Sequence, residues 1–130
     1  MKPFAVILAG AALTLAASGP ASTIELEGDP AAGQRAYSLC LSCHAVHEEA
    51  ERIGPHLVNI FGREAGVVEG FDYSQALAES GVIWETSSLD AFIANPHDFI
   101  PGNRMAFAGI RDAQRRADII AYLREVSEEE

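Results

Sequence analysis

A chain of 130 residues has room for one domain, and a formal net charge of −10, with 19 acidic against 9 basic side chains, excludes a broad basic footprint for nucleic acid or anionic lipid. After its first stretch no run is long and apolar enough to span a bilayer.

The chain opens with Lys2, an apolar run from Phe4 to Ala17 and the small residues Ala16, Ser18, Gly19 and Ala21. This is the pattern of a secretory signal peptide over residues 1–21, cleaved between about Ser18 and Ala21. The alternative, a membrane anchor, needs about 20 apolar residues, more than positions 4 to 17 supply. Residues 22–130 are then expected to form one exported domain, soluble in the periplasm, with no stable membrane insertion. Losing Lys2 leaves eight arginines and no lysine against all 19 acids.

Along that domain, Asp29 and Pro30 predict the cap and first turn of a helix running to about Cys40, with Gly33 and Tyr37 on one face. From His47 to Asp72, five glycines or prolines break any periodicity while Leu57, Ile60 and Phe61 keep the stretch apolar, so it predicts a loop wrapped around something. A short helix is expected over Ser74 to Glu79, and a longer one from about Ser88, with Leu89, Phe92 and Ile93 on one side and Asn95-Pro96 ending it. A second wrapping loop is expected over 96–110. The last helix starts near Asp112 and aligns Ile119, Ile120, Leu123 and Val126, with fraying at the Glu128-Glu129-Glu130 tail, where carboxylates oppose the helix dipole. No strand pattern or internal repeat is visible. The expected class is all-α: three main helices, one short helix and long loops, with an apolar core too thin for the chain length unless something fills the centre.

Cys40-Leu41-Ser42-Cys43-His44 is a C-x-x-C-H sequence, the attachment signature of c-type haem. Two cysteines three apart at a helix end present both sulfurs on one side, where they can add to the two haem vinyl groups, and the adjacent imidazole lies under the iron. The competing readings are a disulfide, a thioredoxin-like dithiol and a zinc site. Neither the disulfide nor the dithiol gives His44 a task, and the dithiol lacks its βαβ setting; zinc lacks a second ligand pair at short spacing.

A haem that shuttles electrons needs a sixth ligand, and thioether sulfur raises the potential. Beyond Met1, the one methionine is Met105, in the turn-forming Pro101-Gly102-Asn103-Arg104-Met105. A lone methionine is ordinarily core filler, but this one lies in an irregular loop rather than on a helical stripe. His47, His56 and His97 are the competing distal ligands.

Together with Gly54-Pro55-His56-Leu57, Gly62-Arg63, Gly70-Phe71-Asp72-Tyr73-Ser74, Trp84, Asn95-Pro96, Phe107-Ala108-Gly109-Ile110 and Asp118 to Leu123, these motifs, in this order, resemble class I cytochrome c from about Gly28 to the end. The resemblance is to the mitochondrial cytochrome c lineage and its small bacterial relatives. It implies a one-electron carrier, not an enzyme, with one covalent haem c. Its partners would be a cytochrome bc-type complex as donor and an oxidase or photosynthetic reaction centre as acceptor, and it would act as a monomer. It implies crossed first and last helices, with Gly33 permitting close approach and Tyr37 packing near Tyr122. It also implies Cys40 and Cys43 as attachment points, His44 and Met105 as axial ligands, and the Pro55 carbonyl accepting from His44 Nδ1–H. Arg63, Tyr73 and Trp84 would hold the propionates, and Asn103 would stand beside one where the family usually has a hydroxyl.

Two departures stand out. Phe92 and Leu77 replace a tyrosine and an asparagine often found in the family near the methionine ligand, so the expectation is a drier sulfur environment. The lysine ring through which mitochondrial relatives dock is missing. Arg104, Arg52 and Arg111 could form a smaller positive spot, or docking could be mainly apolar through Phe107 and Ala108, or use a basic partner. The runner-up function, a haem enzyme or gas sensor from which Met105 dissociates, would need a distal acid–base residue that no motif supplies.

Overall fold

The computed structural model describes residues 26–128 together with Pro3 and Gly19. The expected signal peptide therefore lies outside the described residues, apart from those two positions, as do Glu129 and Glu130 of the tail.

Six helical segments follow one another: α1 (Pro30–Ala36), α2 (Ser38–Leu41), α3 (Gln75–Ala78), α4 (Thr86–Ala94), α5 (Pro96–Phe99) and α6 (Ala113–Glu128). Asp29 caps α1 by accepting from Ala31 N–H at 2.9 Å, with Pro30 in the first turn, where its missing N–H costs nothing. Where one helix to Cys40 was expected, the chain tightens at Tyr37. Cys40 N–H donates to the Tyr37 carbonyl at 2.8 Å, an i to i+3 bond, and α2 carries the chain on to the first cysteine.

The dominant contact is the crossing of α1 over α6. A Cβ at Gly33 would collide with the Asp118 carbonyl and would lie 2.8 Å from Tyr122 Cβ, so only glycine lets the backbones approach this closely. The crossing is clasped by Asp118 Oδ1, which accepts from Asp29 N–H at 2.9 Å and from Gln114 Nε2 at 3.0 Å. These donors hold the Asp118 carboxyl below its usual range. Tyr37 and Tyr122 pack beneath with ring centroids 5.4 Å apart, in a buried cluster with Val46, Ile110, Ile119 and Leu123.

Helix α4 starts two residues before the expected Ser88. Glu85 and Ser88 form a capping box in which Ser88 Oγ accepts from Glu85 N–H at 2.8 Å. Ser88 is thus the third helical residue rather than the cap. The second expected loop contains α5. Asn95 ends α4 and also starts α5, its Oδ1 accepting from Asp98 N–H at 3.3 Å with Pro96 at the first helical position. Asn-Pro is both a stop and a start. Helix α4 is tied to α6 by Arg116 Nε donating to Asp90 Oδ1 at 2.7 Å.

A second buried cluster joins Ile60, Ala65, Trp84, Leu89, Phe92, Ile100 and Ile120. Leu57, Phe61 and Ile93 are half-buried and pack against both clusters, so an apolar seam runs between them. Among the described residues the only strand-like pairing is the isolated antiparallel bridge between Glu64 and Ile83. No helix there is long and apolar enough to cross a membrane.

Candidate haem site

The C-x-x-C-H segment begins in α2 and turns inward just after it. The Cys40 carbonyl accepts from both Cys43 N–H at 3.0 Å and His44 N–H at 2.9 Å, which winds the segment so that both cysteines and the imidazole stay together. Both cysteines are half-buried and unbridged, which removes the disulfide reading for this conformation. Burial, with Cys43 as a lesser cause, pushes the Cys40 thiol up to about 11. A dithiol redox centre relies on the opposite, a thiol with a depressed pKa.

His44 is fixed by its surroundings. Its Nδ1 lies 2.7 Å from the Pro55 carbonyl, which can only accept, so the proton sits on Nδ1 and the Nε2 lone pair is left for a ligand. Burial, with the charge of Arg63, holds the imidazole below its usual pKa against the opposing Pro55 bond, favouring the neutral form a metal requires. Gly54 passes directly over this ring, where an added Cβ would strike the imidazole Cε1 and crowd both ring nitrogens. Tyr37 Oη, reaching from the end of α1, donates to the His44 carbonyl at 2.9 Å.

Arg63, Tyr73 and Trp84 come from three separated stretches and meet in one region. Arg63 and Trp84 face each other across the short pairing around the Glu64 bridge, with Trp84 N–H donating to the Arg63 carbonyl at 2.9 Å. Arg63 donates to the carbonyls of His56 at 2.8 Å and Val58 at 3.1 Å. Its guanidinium is pulled below its usual pKa by burial, and among the described residues no carboxylate lies at ion-pair distance from it. Tyr73 Oη accepts from Val68 N–H at 3.2 Å, and its phenol is raised by burial. A half-buried cation bonded to backbone carbonyls, which Glu49 attracts without forming an ion pair, stands beside a phenol and suits a carboxylate-bearing group at its polar edge.

Met105 is half-buried and packs against the second cluster, whose members Phe92 and Trp84 have ring centroids 5.0 Å apart. Leu77 lies against the same cluster. Cys40 and Phe107 border the first cluster, so the site residues flank the seam from both sides. A flat apolar group with one polar edge fits this donor set: two thiols, an imidazole whose Nε2 carries no proton, a thioether, an apolar seam and a guanidinium bonded to backbone carbonyls.

The amide of Asn103 departs from expectation. Instead of turning toward a propionate, it gives its N–H groups to the carbonyls of Pro96 at 2.7 Å and Ile100 at 2.8 Å, and its Oδ1 accepts from Met105 N–H at 3.0 Å. With both donors engaged, this amide has none left for a propionate. The competing histidines stand elsewhere: His47 and His97 are exposed, and His56 lines a cleft of about 360 Å³ with Arg63, Glu49 and Glu51. Its buried Nδ1 has no partner among the described residues.

Of the proposed docking arginines, Arg104 pairs with Asp72 at 3.5 Å and Arg52 with Glu48 at 3.6 Å, which neutralises much of the positive spot. What sequence reasoning missed is the apolar surface around the motif. Leu39 is 45%, Leu41 48% and Ile53 81% exposed. Leu39 and Leu41 directly flank Cys40, a signal available in the sequence.

The cytochrome c family model matches residues 30–127. Cytochrome c type-1 of Ascaris suum is 44% identical over 100 residues, covering 76% of this chain and 89% of that protein. Cytochrome c2 of Rhodomicrobium vannielii is 39% identical over 124 residues, 95% of each chain. Among solved structures, cytochrome cH from Methylobacterium extorquens is 39% identical with a TM-score of 0.72, covering 75% of this chain and 99% of that one. The chain belongs to the cytochrome c family, as an electron-transfer protein, not an enzyme, with one covalently attached haem c.

Proposed function

We propose that residues 1–21 are a cleaved export signal and that residues 22–130 are a soluble periplasmic carrier of single electrons. The carrier links a cytochrome bc-type complex to an oxidase or photosynthetic reaction centre, with His44 and Met105 as the axial ligands. The observation that carries this reading is the imidazole of His44, held neutral with its Nδ1–H on Pro55 and its Nε2 open beside two cysteines. The half-buried Met105 on the apolar cluster supports the second ligand.

When bound, the haem supplies an iron that gains and loses one electron without transfer of atoms. Cys40 and Cys43 keep the group on the chain. Pro55 orients the His44 ring and raises its basicity. Arg63 and Tyr73 stabilise carboxylates at the polar edge, with Trp84 walling the same region. Phe92, Leu77, Leu89 and Ile100 exclude water from the thioether, which favours the reduced, less charged state.

Phe92 lies between the rings of Trp84 and Phe99, at 5.0 Å and 6.3 Å between centroids. The conservative Phe92→Tyr adds a hydroxyl next to Met105's cluster, and the midpoint potential is expected to move by roughly tens of millivolts. An unchanged potential would show that the dryness of this cluster does not tune the iron.

Rates of reduction by a purified bc-type complex and oxidation by an oxidase or reaction centre test the assignment of partners. With Arg104 and Arg52 paired and Leu39, Leu41 and Ile53 exposed, docking rests mainly on apolar contact. Rates should then change by less than about twofold between low salt and roughly 0.15 M. A steep fall with salt would restore an electrostatic dock, and no reaction with either complex would remove the proposed partners.

A further inference from the structure

We infer that Asn103 is the positioning residue for Met105, a side chain whose three hydrogen bonds hold the methionine loop closed and so set how readily an outside ligand displaces the thioether. This rests on the reading of Met105 as an axial ligand.

Residues 101–110 contain no helix, and Gly102 turns the chain at a φ of +90° that other residues rarely adopt. The backbone bonds around Met105, from Asn103 N–H to the Ile100 carbonyl at 3.1 Å and from Phe107 N–H to the Met105 carbonyl at 2.9 Å, do not tie the Met105 N–H to α5. The fixing comes from Asn103, only 6% exposed and the one polar residue in the buried core of the described chain. An amide offers two donors and an acceptor, and here every one is used on the backbone. The donors reach back three residues to Ile100 and seven to Pro96, at the two ends of α5. The acceptor reaches forward two residues to Met105 N–H. The side chain thereby bolts the methionine's own backbone to a helix packed on the second cluster.

A neighbouring tether differs in kind. Arg104 Nη2 donates to the Asp72 carbonyl at 2.8 Å, but that side chain is exposed and its bond exchanges readily with water. The buried amide bonds have no such substitute. When Asn103 becomes alanine, Met105 N–H loses its acceptor and the loop loses both side-chain bonds to α5, keeping only the backbone bond from Asn103 N–H to the Ile100 carbonyl at 3.1 Å.

A ligand that must wait for the loop to open binds with its intrinsic affinity multiplied by the open fraction. The test is imidazole titration of the ferric holoprotein, followed by loss of the thioether-to-iron charge-transfer band. Asn103→Ala should bind imidazole at least about tenfold more tightly than the unaltered protein. Asn103→Ser, which keeps an acceptor but has one donor in place of two, should fall between them.

Hydrogen exchange supplies a local readout that general destabilisation does not mimic. The Met105 amide should exchange at least about tenfold faster in Asn103→Ala, while the Ile119 amide in the α1–α6 core keeps its protection. Should Asn103→Ala fail to mature with haem, Asn103→Ser and the unaltered protein decide. Imidazole affinity equal within about twofold in those two, or a Met105 amide that exchanges as fast as an exposed loop amide in the unaltered protein, overturns the inference. If the band is present and only these expectations fail, the ligand reading survives. A band missing from the unaltered protein overturns both.

Discussion

Protein in which Cys40 and Cys43 are both alanine should emerge from a strain competent for haem attachment with no colour that survives unfolding. Each thioether bond needs a cysteine sulfur, and the two half-buried thiols beside His44 are the only cysteines of the chain. The same replacement should lower stability well beyond the loss of two small side chains. Leu57, Phe61 and Ile93 are half-buried along a seam between two clusters, and an apolar group seated there supplies the contacts that thin helices do not. Without attachment the group is held only by ligation and burial and is lost on denaturation. Colour that follows the unfolded double variant through denaturing electrophoresis would refute attachment at these positions.

The second large effect is expected at Gly33. Gly33→Val drives a branched side chain into the Asp118 carbonyl and the Tyr122 side chain, atoms of a packed helix that cannot swing away. Separating α1 from α6 also loosens Tyr37, whose Oη holds the His44 carbonyl. The loss should be at least about 3 kcal/mol, a large share of the roughly 5–15 kcal/mol that holds a typical domain together. Chemical denaturation of the holoprotein measures it. A loss below about 1 kcal/mol would mean that the helices cross with more room than their backbones show.

Both predictions trace to features legible in the sequence, and so does much of the fold. The stripe Ile119, Ile120, Leu123 and Val126 is buried as its spacing predicts, and Asp112 accepts from Arg115 N–H at 2.7 Å at the start of α6. Ser74 caps the short α3, accepting from Leu77 N–H at 3.2 Å. The misread boundaries share one cause: a residue that serves two elements. Ser88 closes a capping box from inside α4, and Asn95 finishes one helix while opening the next.

The candidate site was legible to different depths. Cys40, Cys43 and His44 announce themselves by spacing, and Met105 by its setting in a turn. Arg63, Tyr73 and Trp84 came only from the family resemblance, because their meeting depends on pairing between residues about twenty apart. The bonds of Asn103 were invisible for another reason. Two of its partners are backbone carbonyls, which no side-chain identity encodes, and its nearest analogue in the family pointed to a propionate. The surface charge was legible only as a count: Asp72 and Glu48 each pair one of the arginines, which composition does not reveal.

The most direct test is the absorption spectrum of the ferric holoprotein, recorded beside that of Met105→Leu. The account predicts low-spin, six-coordinate iron with a thioether-to-iron charge-transfer band in the unaltered protein, and loss of that band in the variant. High-spin iron in the unaltered protein, or a band that persists when position 105 is leucine, would contradict it.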